Sequence, residues 1–382
     1  MIYLDNSATT KPLPEVMQTF VQVSEQYYAN PASIHEAGNI TNQLLSKARE
    51  QLANMLNTEA KEVIFTAGGT EANNFAVYSV AKTQQHIGKH VITTVIEHPS
   101  ILESVRRLQE EGFEVDYLDI DERGIISLDQ LQQKLRKDTI LVSIMHVNNE
   151  MGAIQPIEDI AKVVHTNSRA IFHVDAVQSF GKLAVRFNGE DGPDMISVSG
   201  HKIHSVKGSG FLALRRPFTM APFIVGGGQE FGLRSGTAAV PQAVALAKAA
   251  RIATEKLEDR LAQYTRWSKD LHSYFMQFGT AVYVLSNEAC APYICSFSVR
   301  DLKGEILINA LQKEQVFVST SSACSSKMKK TSHVVTALNI PKEYKDGVLR
   351  MSFGSLTTEA DIEAFKRVFS NVMNQLKGEV KS

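Results

Sequence analysis

Between residues 62 and 215 the chain repeats one pattern: a short apolar, β-branched run, then in most cases an amphipathic stretch, then another run. The runs are EVIFTA (62–67), HVITTVI (90–96), FEVDYLDI (113–120), TILVSIMHV (139–147), AIFHVDA (170–176), DMISVSG (194–200) and GFLALR (210–215). Helix-like stretches between them include TEANNFAVYSVAKT (70–83), SILESVRRLQEEG (100–112), SLDQLQQKLR (127–136) and PIEDIAKVVHTN (156–167). This alternation predicts an α/β fold with a mostly parallel sheet covered by helices, because parallel neighbours need a long crossover between them. Ligands of such sheets sit at the carboxyl ends of the strands. The residues just after each run are therefore the candidates for chemistry.

The alternation ends at GGGQEFGLRSGT (226–237). A helical pattern then runs from Val240 to Phe278, followed by strand-like YICSFSV (293–299), QVFVSTS (315–321) and VLRMSFG (348–354), and a closing helix from Glu359 to Leu376. A chain of 382 residues exceeds one small core. We expect a large domain over 16–255 and a smaller one formed by 1–15 and 256–382, with the change inside the long helix. The first 15 residues could pack with either.

Composition narrows the function classes. A net charge of −1 implies no strong polyanion or acidic-membrane partner, so no direct nucleic-acid contact is expected. No apolar run reaches the roughly 18 residues that span a bilayer, and MIYLDNSATT lacks the basic and apolar regions of a signal peptide. Three cysteines cannot all pair within one chain, which fits a cytoplasmic protein with free thiols. Cys290 and Cys295 have no histidine pair to complete a metal site, so no metal is expected. Cys295 reads as a small buried hydrophobe and Cys290 as incidental. Cys324 is different: it lies in VSTSSACSSKMKKTSH (318–333), among serines and lysines. Lys327, Lys329 and Lys330 read as a solvated patch with a minor effect on the thiol.

Several strand ends carry residues of distinct chemistry. Lys202 follows the run in SVSGHK, where a desolvated lysine can attack a carbonyl and form a Schiff base; an ordinary loop lysine is the commoner case. Asp175 ends the run in HVDAVQS, one strand–helix–strand step earlier, so both could reach one edge of the sheet. A carboxylate there can pair with a protonated pyridine nitrogen, or simply cap a helix. In TAGGTEANN (66–74), Gly68 and Gly69 let backbone N–H groups approach an anion where Thr70 opens a helix; an ordinary capped start reads equally well. His98, Asn148 and Asn149 follow other runs, Thr237 could meet a phosphate oxygen, and Arg350 could take a carboxylate bidentately. Each is weak alone. Their ordered recurrence is stronger than any one of them.

Taken together, these residues and several further segments resemble the cysteine desulfurases of the NifS/IscS kind, class-V, fold-type I enzymes dependent on pyridoxal phosphate (PLP). The resemblance runs nearly end to end through YLDNSATT (3–10), NPASIHEAG (30–38), AGGTEANN (67–74), EHPS (97–100), NNEMG (148–152), HVDAVQS, SGHK, GGGQE (226–230), RSGT, SSACSS (321–326) and RMSFG (350–354). It implies a large domain with a mostly parallel seven-stranded sheet covered by helices, plus a smaller α+β C-terminal domain carrying a mobile acceptor-cysteine loop at about 318–333. It implies that Lys202 carries PLP, that Asp175 faces the ring nitrogen, and that His98 stacks on the ring and moves protons. Gln178 would bond the ring hydroxyl oxygen. Gly69, Thr70, Ser199 and His201 would hold the phosphate, with Thr237 reaching in from the neighbouring subunit of a homodimer. Asn149 and Arg350 would hold the carboxylate of L-cysteine, and Cys324 would accept the sulfur.

Many relatives carry alanine where Gly69 stands; the backbone N–H does the work there, so no consequence is expected. The resemblance leaves the sulfur-acceptor protein open between iron–sulfur assembly, thiamin synthesis and tRNA thiolation. Some relatives have a longer C-terminal tail that docks an iron–sulfur scaffold, and its absence here weakens that particular partner. Two other readings compete: another PLP enzyme of the same fold, such as an aminotransferase or selenocysteine lyase, and a non-enzymatic interaction protein. Retention of Lys202, Asp175 and Cys324 counts against the last.

Overall fold

A computed structural model describes residues 1–187, 189, 191–215, 219–320 and 331–379. The chain opens with strand β1 (Ile2–Tyr3) and helices α1 (Pro14–Gln26) and α2 (Glu36–Leu56). The predicted alternation follows: β2 (Val63–Thr66), α3 (Gly69–Gln84), β3 (His90–Thr94), α4 (Pro99–Glu110), β4 (Glu114–Leu118), α5 (Leu128–Lys134), β5 (Thr139–Met145), α6 (Ile157–Asn167), β6 (Ile171–Asp175), β7 (Met195–Ser199) and β8 (Gly210–Leu214). Strands β2 to β8 form one seven-stranded sheet in the order β2-β8-β7-β6-β5-β3-β4. Neighbours are parallel except β8, which runs against both β2 and β7. Two antiparallel steps restore direction, so β2 points the same way as the parallel strands.

These strands read as apolar runs without alternation because both faces are covered: β3, β5, β7 and β8 are buried at every position. The crossover from β6 to β7 departs from expectation. Among its described residues it holds turns and a Phe180–Leu183 bridge, with no helix. Asp175 still shares an edge with Lys202, because β6 and β7 are adjacent and parallel with Asp175 opposite Ser197.

The long helix expected from Val240 to Phe278 is two helices, α7 (Val240–Glu255) and α8 (Leu257–Met276), broken at Lys256 (φ −112°, ψ 21°). Each buries a different stripe. The alanine-rich face of α7 packs into the core under the large sheet, whereas Trp267, Leu271 and Phe275 of α8 enter a second core. One straight helix could not present a face to both.

The second core is built on β9 (Val282–Val284), β10 (Ile294–Val299), α9 (Gly304–Lys313), β11 (Val316–Phe317), β12 (Ser319–Thr320), α10 (His333–Ala337), β13 (Val348–Ser352) and α11 (Glu359–Glu379). Its antiparallel sheet has the order β12-β13-β10-β9. Phe275 and Phe297 stack with centroids 4.5 Å apart, and Phe365 and Phe369 pack around them. QVFVSTS is not one strand: it splits at Val318, so that β11 pairs parallel with β1 while β12 pairs with β13. The first residues touch both cores, with Leu4 in the second and Leu13 in the first.

Candidate active site

The carboxyl ends of β2, β3, β5, β6 and β7 converge, together with β13, on a cavity of about 1090 Å³. Its walls include Gly69, Thr70, His98, Asn149, Asp175, Gln178, Ser199, His201, Lys202 and Arg350. These residues come from segments nearly 300 positions apart, and the sheet edge gathers them. Thr237 is not among them. It is exposed and lines a separate cavity of about 200 Å³ with Gly236, Arg234 and Glu230. Cys324 lies outside the described residues.

After β7 the backbone tightens into a single 3₁₀ turn, Gly200–Lys202, which carries Lys202 back over the sheet edge. A Cβ at Gly200 would stand 2.3 Å from Ser209 Oγ, so the turn needs glycine. Lys202 Nζ donates to the Ser7 carbonyl and, at 2.8 Å, to the Ala8 carbonyl. Both acceptors belong to the YLDNSATT strip, whose local pattern gives no hint of such a contact.

Asp175 is buried, with each oxygen engaged: Oδ1 accepts from Val177 N at 2.9 Å and Oδ2 from Asn73 Nδ2 at 2.7 Å. Asn73 Nδ2 also approaches Ser100 Oγ at 2.9 Å, and Ser100 Oγ lies 2.8 Å from His98 Nδ1. A polar chain therefore joins Asp175 to His98. His98 is the N-cap of α4, with Pro99 at the first helical position, where its fixed φ suits the helix. Nδ1 accepts from the Ser100 backbone N–H at 3.1 Å, which leaves Nε2 as the protonated nitrogen of the neutral ring. Burial lowers the His98 pKa; Asp175 opposes that shift, while Lys202 and His333 add to it.

Beneath this layer Glu97 is fully buried, with Oε1 accepting from Thr94 Oγ1 and Met145 N at 2.8 Å each. Burial, with a smaller push from Asp175, raises its carboxyl to about 8. Burial likewise raises Glu150 to about 7, against the pull of Ser332 and Arg350.

One end of the cavity is suited to an anion. Helix α3 begins at Gly69 with Gly68 as N-cap (φ 156°), so Thr70 sits inside the first turn instead of opening it. The first-turn N–H groups have no helical acceptors and carry the positive end of the helix dipole. Ser199 Oγ stands 3.6 Å from where a Cβ would sit at Gly68. A Cβ on Gly69 would lie 2.6 Å from Val177 Cγ2, so Gly69 and Val177 are fitted to one another. His201 meets Thr9 Oγ1 at 3.1 Å, and burial plus neighbouring lysines push its pKa down to about 4.

Arg350 is buried in β13 and held from two sides: Nη1 donates to the Asn149 carbonyl at 2.7 Å and Nη2 to Asp5 Oδ1 at 2.9 Å. Its Nε has no protein partner among the described residues. Asp5 Oδ2 also accepts from Ser319 Oγ at 2.6 Å. On the far side of residues 321–330, Ser332 donates to Glu150 Oε2 at 2.5 Å, and His333 Nε2 lies 2.9 Å from the Glu97 carbonyl.

A model of the aminotransferase class-V family matches residues 2–365. The chain belongs to that family, in its NifS/IscS branch. Cysteine desulfurase IscS of Dictyoglomus turgidum is 37% identical over 383 residues, covering 98% of this chain and 95% of that one. Among solved structures, a NifS-like protein superimposes with a TM-score of 0.92 at 34% identity, covering 98% and 99% of the two chains. A structure described as SspA in complex with cysteine has a TM-score of 0.82 at 31% identity, covering 94% and 100%. The fold is thus the fold-type I arrangement of this class-V branch.

Both described thiols of the NifS/IscS-type chain are buried: burial pushes Cys290 up to about 11 and Cys295 up to about 12. Neither supplies a thiolate near neutrality. Among the described residues no group of three His, Cys, Asp or Glu could hold a metal ion, and no helix is long and apolar enough to cross a membrane.

Proposed function

We propose that the protein is a PLP-dependent desulfurase that converts L-cysteine to alanine and leaves the sulfur as a persulfide on Cys324, for delivery to an acceptor protein. The observation that carries the reading is the meeting of Lys202, Asp175 and Arg350 in one cavity beside a helix N-terminus, in a chain of the NifS/IscS branch. The donor set fits PLP: first-turn N–H groups and Ser199 suit a phosphate, buried Asp175 suits a pyridinium nitrogen, and Lys202 suits an aldehyde. When bound, PLP supplies an electron sink that accepts carbanion charge from the α-carbon of an amino acid and loosens its β-substituent.

The residues have definite tasks in this reading. Arg350 lines the cavity with its guanidinium fixed by Asn149 and Asp5, and its charge meets the substrate carboxylate. Lys202, whose side chain lines the cavity, would take the α-proton as general base. The ammonium so formed has ready acceptors in the Ser7 and Ala8 carbonyls. Asn73 and the Val177 N–H hold both oxygens of Asp175 in place. The Cys324 thiolate then attacks the substrate sulfur. The Cβ–S bond breaks, an S–S bond forms, and protons from the site complete the methyl of alanine; carbon is reduced as sulfur is oxidised, so no outside oxidant is needed.

The same reading makes the protein a homodimer in which Thr237 serves the partner's site. Val225 (82% exposed) precedes the segment that carries Thr237 and Phe231 (57%) lies within it, and Tyr28 and Ile34 are bare apolar side chains as well.

Purified protein with PLP, L-cysteine and a reductant should release alanine and sulfide in equal amounts. Cys324→Ala should release no sulfide yet still change the cofactor's visible spectrum on adding L-cysteine. Sulfide production by that variant at the wild-type rate would remove Cys324 from the mechanism. Unchanged activity toward another amino acid in the same variant would point to a different PLP reaction.

A further inference from the structure

Lys182 has no part in the chemistry above, yet its ammonium is buried beside the site. Among the described residues no acidic side chain pairs with it. Its Nζ donates to Gln178 Oε1 at 3.2 Å and lies 5.2 Å from the centre of the Tyr293 ring. Tyr293 is itself buried and donates its hydroxyl to the Gln178 carbonyl at 2.9 Å. Burial pushes its pKa down to about 7, and the charges that bear on it, Lys202 and Arg350, are cations that add to the fall. His201 and His204 stand close enough to feel its charge in turn. A methionine would fill the same space without burying a charge.

The contact with Gln178 explains the lysine. In its protonated form Lys182 only donates, whereas a glutamine amide has one accepting and one donating end. Lys182 therefore fixes Oε1 of Gln178 toward itself. The NH2 end must face the other way, where Nε2 donates to the Ser7 carbonyl at 2.9 Å. A reversed amide would set N–H against ammonium at one end and carbonyl against carbonyl at the other. Gln178 lines the cavity, and one hydrogen of Nε2 is left over for a ligand oxygen.

We infer that Lys182 is a positioning residue: acting through Gln178, it keeps an N–H donor aimed into the cavity at the ring oxygen of the cofactor. The inference rests on the PLP reading of the site. A donor at that oxygen stabilises its ionised form, so losing the donor raises the pH at which the visible absorption of bound PLP changes.

The test is a pH titration of that absorption in PLP-loaded wild type, Lys182→Met, Gln178→Leu and the double variant. Lys182→Met should raise the midpoint by about one pH unit, a tenfold change in the proton equilibrium. Gln178→Leu should raise it similarly, and Lys182→Met should add little on top of Gln178→Leu. Lys182→Gln, which keeps a donor for Oε1, should move the midpoint less than half as far as Lys182→Met. An unmoved midpoint in Lys182→Met overturns the inference. So does an equal shift with and without Gln178, because the lysine charge would then act directly. If wild type binds PLP but makes no sulfide, the desulfurase reading fails while the titration still decides the role of Lys182. A wild type that takes up no PLP overturns both.

Discussion

Glu97 stands one residue before His98 with no place to put a charge. Its pKa rises from the ordinary 4.5 to about 8 because it is buried. A carboxyl that holds its proton more tightly in the folded chain stabilises the fold below its unfolded pKa, and that contribution is lost as pH rises toward 8. Glu97→Gln mimics the protonated group and keeps the bonds from Thr94 and Met145 to Oε1. Urea unfolding at pH 5 and pH 8.5 should therefore show wild type losing more stability than Glu97→Gln, by on the order of 3 kcal/mol. Equal losses would place a charge on Glu97 in the folded chain. Lys202, Asp175 and His98 were legible in the sequence because each ends or follows a strand-like run, and Arg350 because it interrupts one, VLRMSFG. Asn73, Asp5 and Lys182 were not. Asn73 looked like part of a helix start, and its link to Asp175 spans 102 positions. Asp5 meets Arg350 across 345 positions, and no local pattern announces such a contact.

At the scale of elements, all seven strands of the large sheet were legible, most of them because runs buried on both faces are continuous; the edge strand β4 is only partly buried. Three connections were not. The β6–β7 crossover has the length of a helical step but no helix among its described residues. Lys256 breaks a helix whose pattern is continuous, since what decides is which core each half faces. QVFVSTS splits because its two halves find partners in different sheets. A fourth connection, the segment that carries Thr237, hangs on a buried ion pair: Arg49 of α2 meets Glu230 through two bonds of 2.7 Å, and Phe65 N donates to the same carboxylate at 2.8 Å. Arg49 also lies over the rings of Phe65 and Phe231. Glu230→Ala strands the guanidinium in a dry site, and we expect a loss of about 3–5 kcal/mol in denaturant unfolding. A loss below about 1 kcal/mol would mean that water reaches Arg49 freely.

For the whole molecule, the exposed apolar side chains near Thr237 predict association. Sedimentation of the purified protein should give two chains per particle. Val225→Asp combined with Phe231→Asp should give single chains that retain PLP poorly. A wild type that sediments as one chain at micromolar concentration with full activity would refute the shared site.

The amino-terminal strip adds a consequence in time. Residues 5–9 touch Arg350, Lys202, Gln178 and His201, and the strip is tethered by Val316, Phe317 and Ser352. Residues 2–9 thus find their partners only once residues more than 300 positions later are in place. A nascent chain halted before β11 can complete the large sheet and display Lys202, but it lacks Arg350 and the tethers of the strip that receives the lysine. A fragment ending before β11 would carry the lysine without the residues that complete its surroundings.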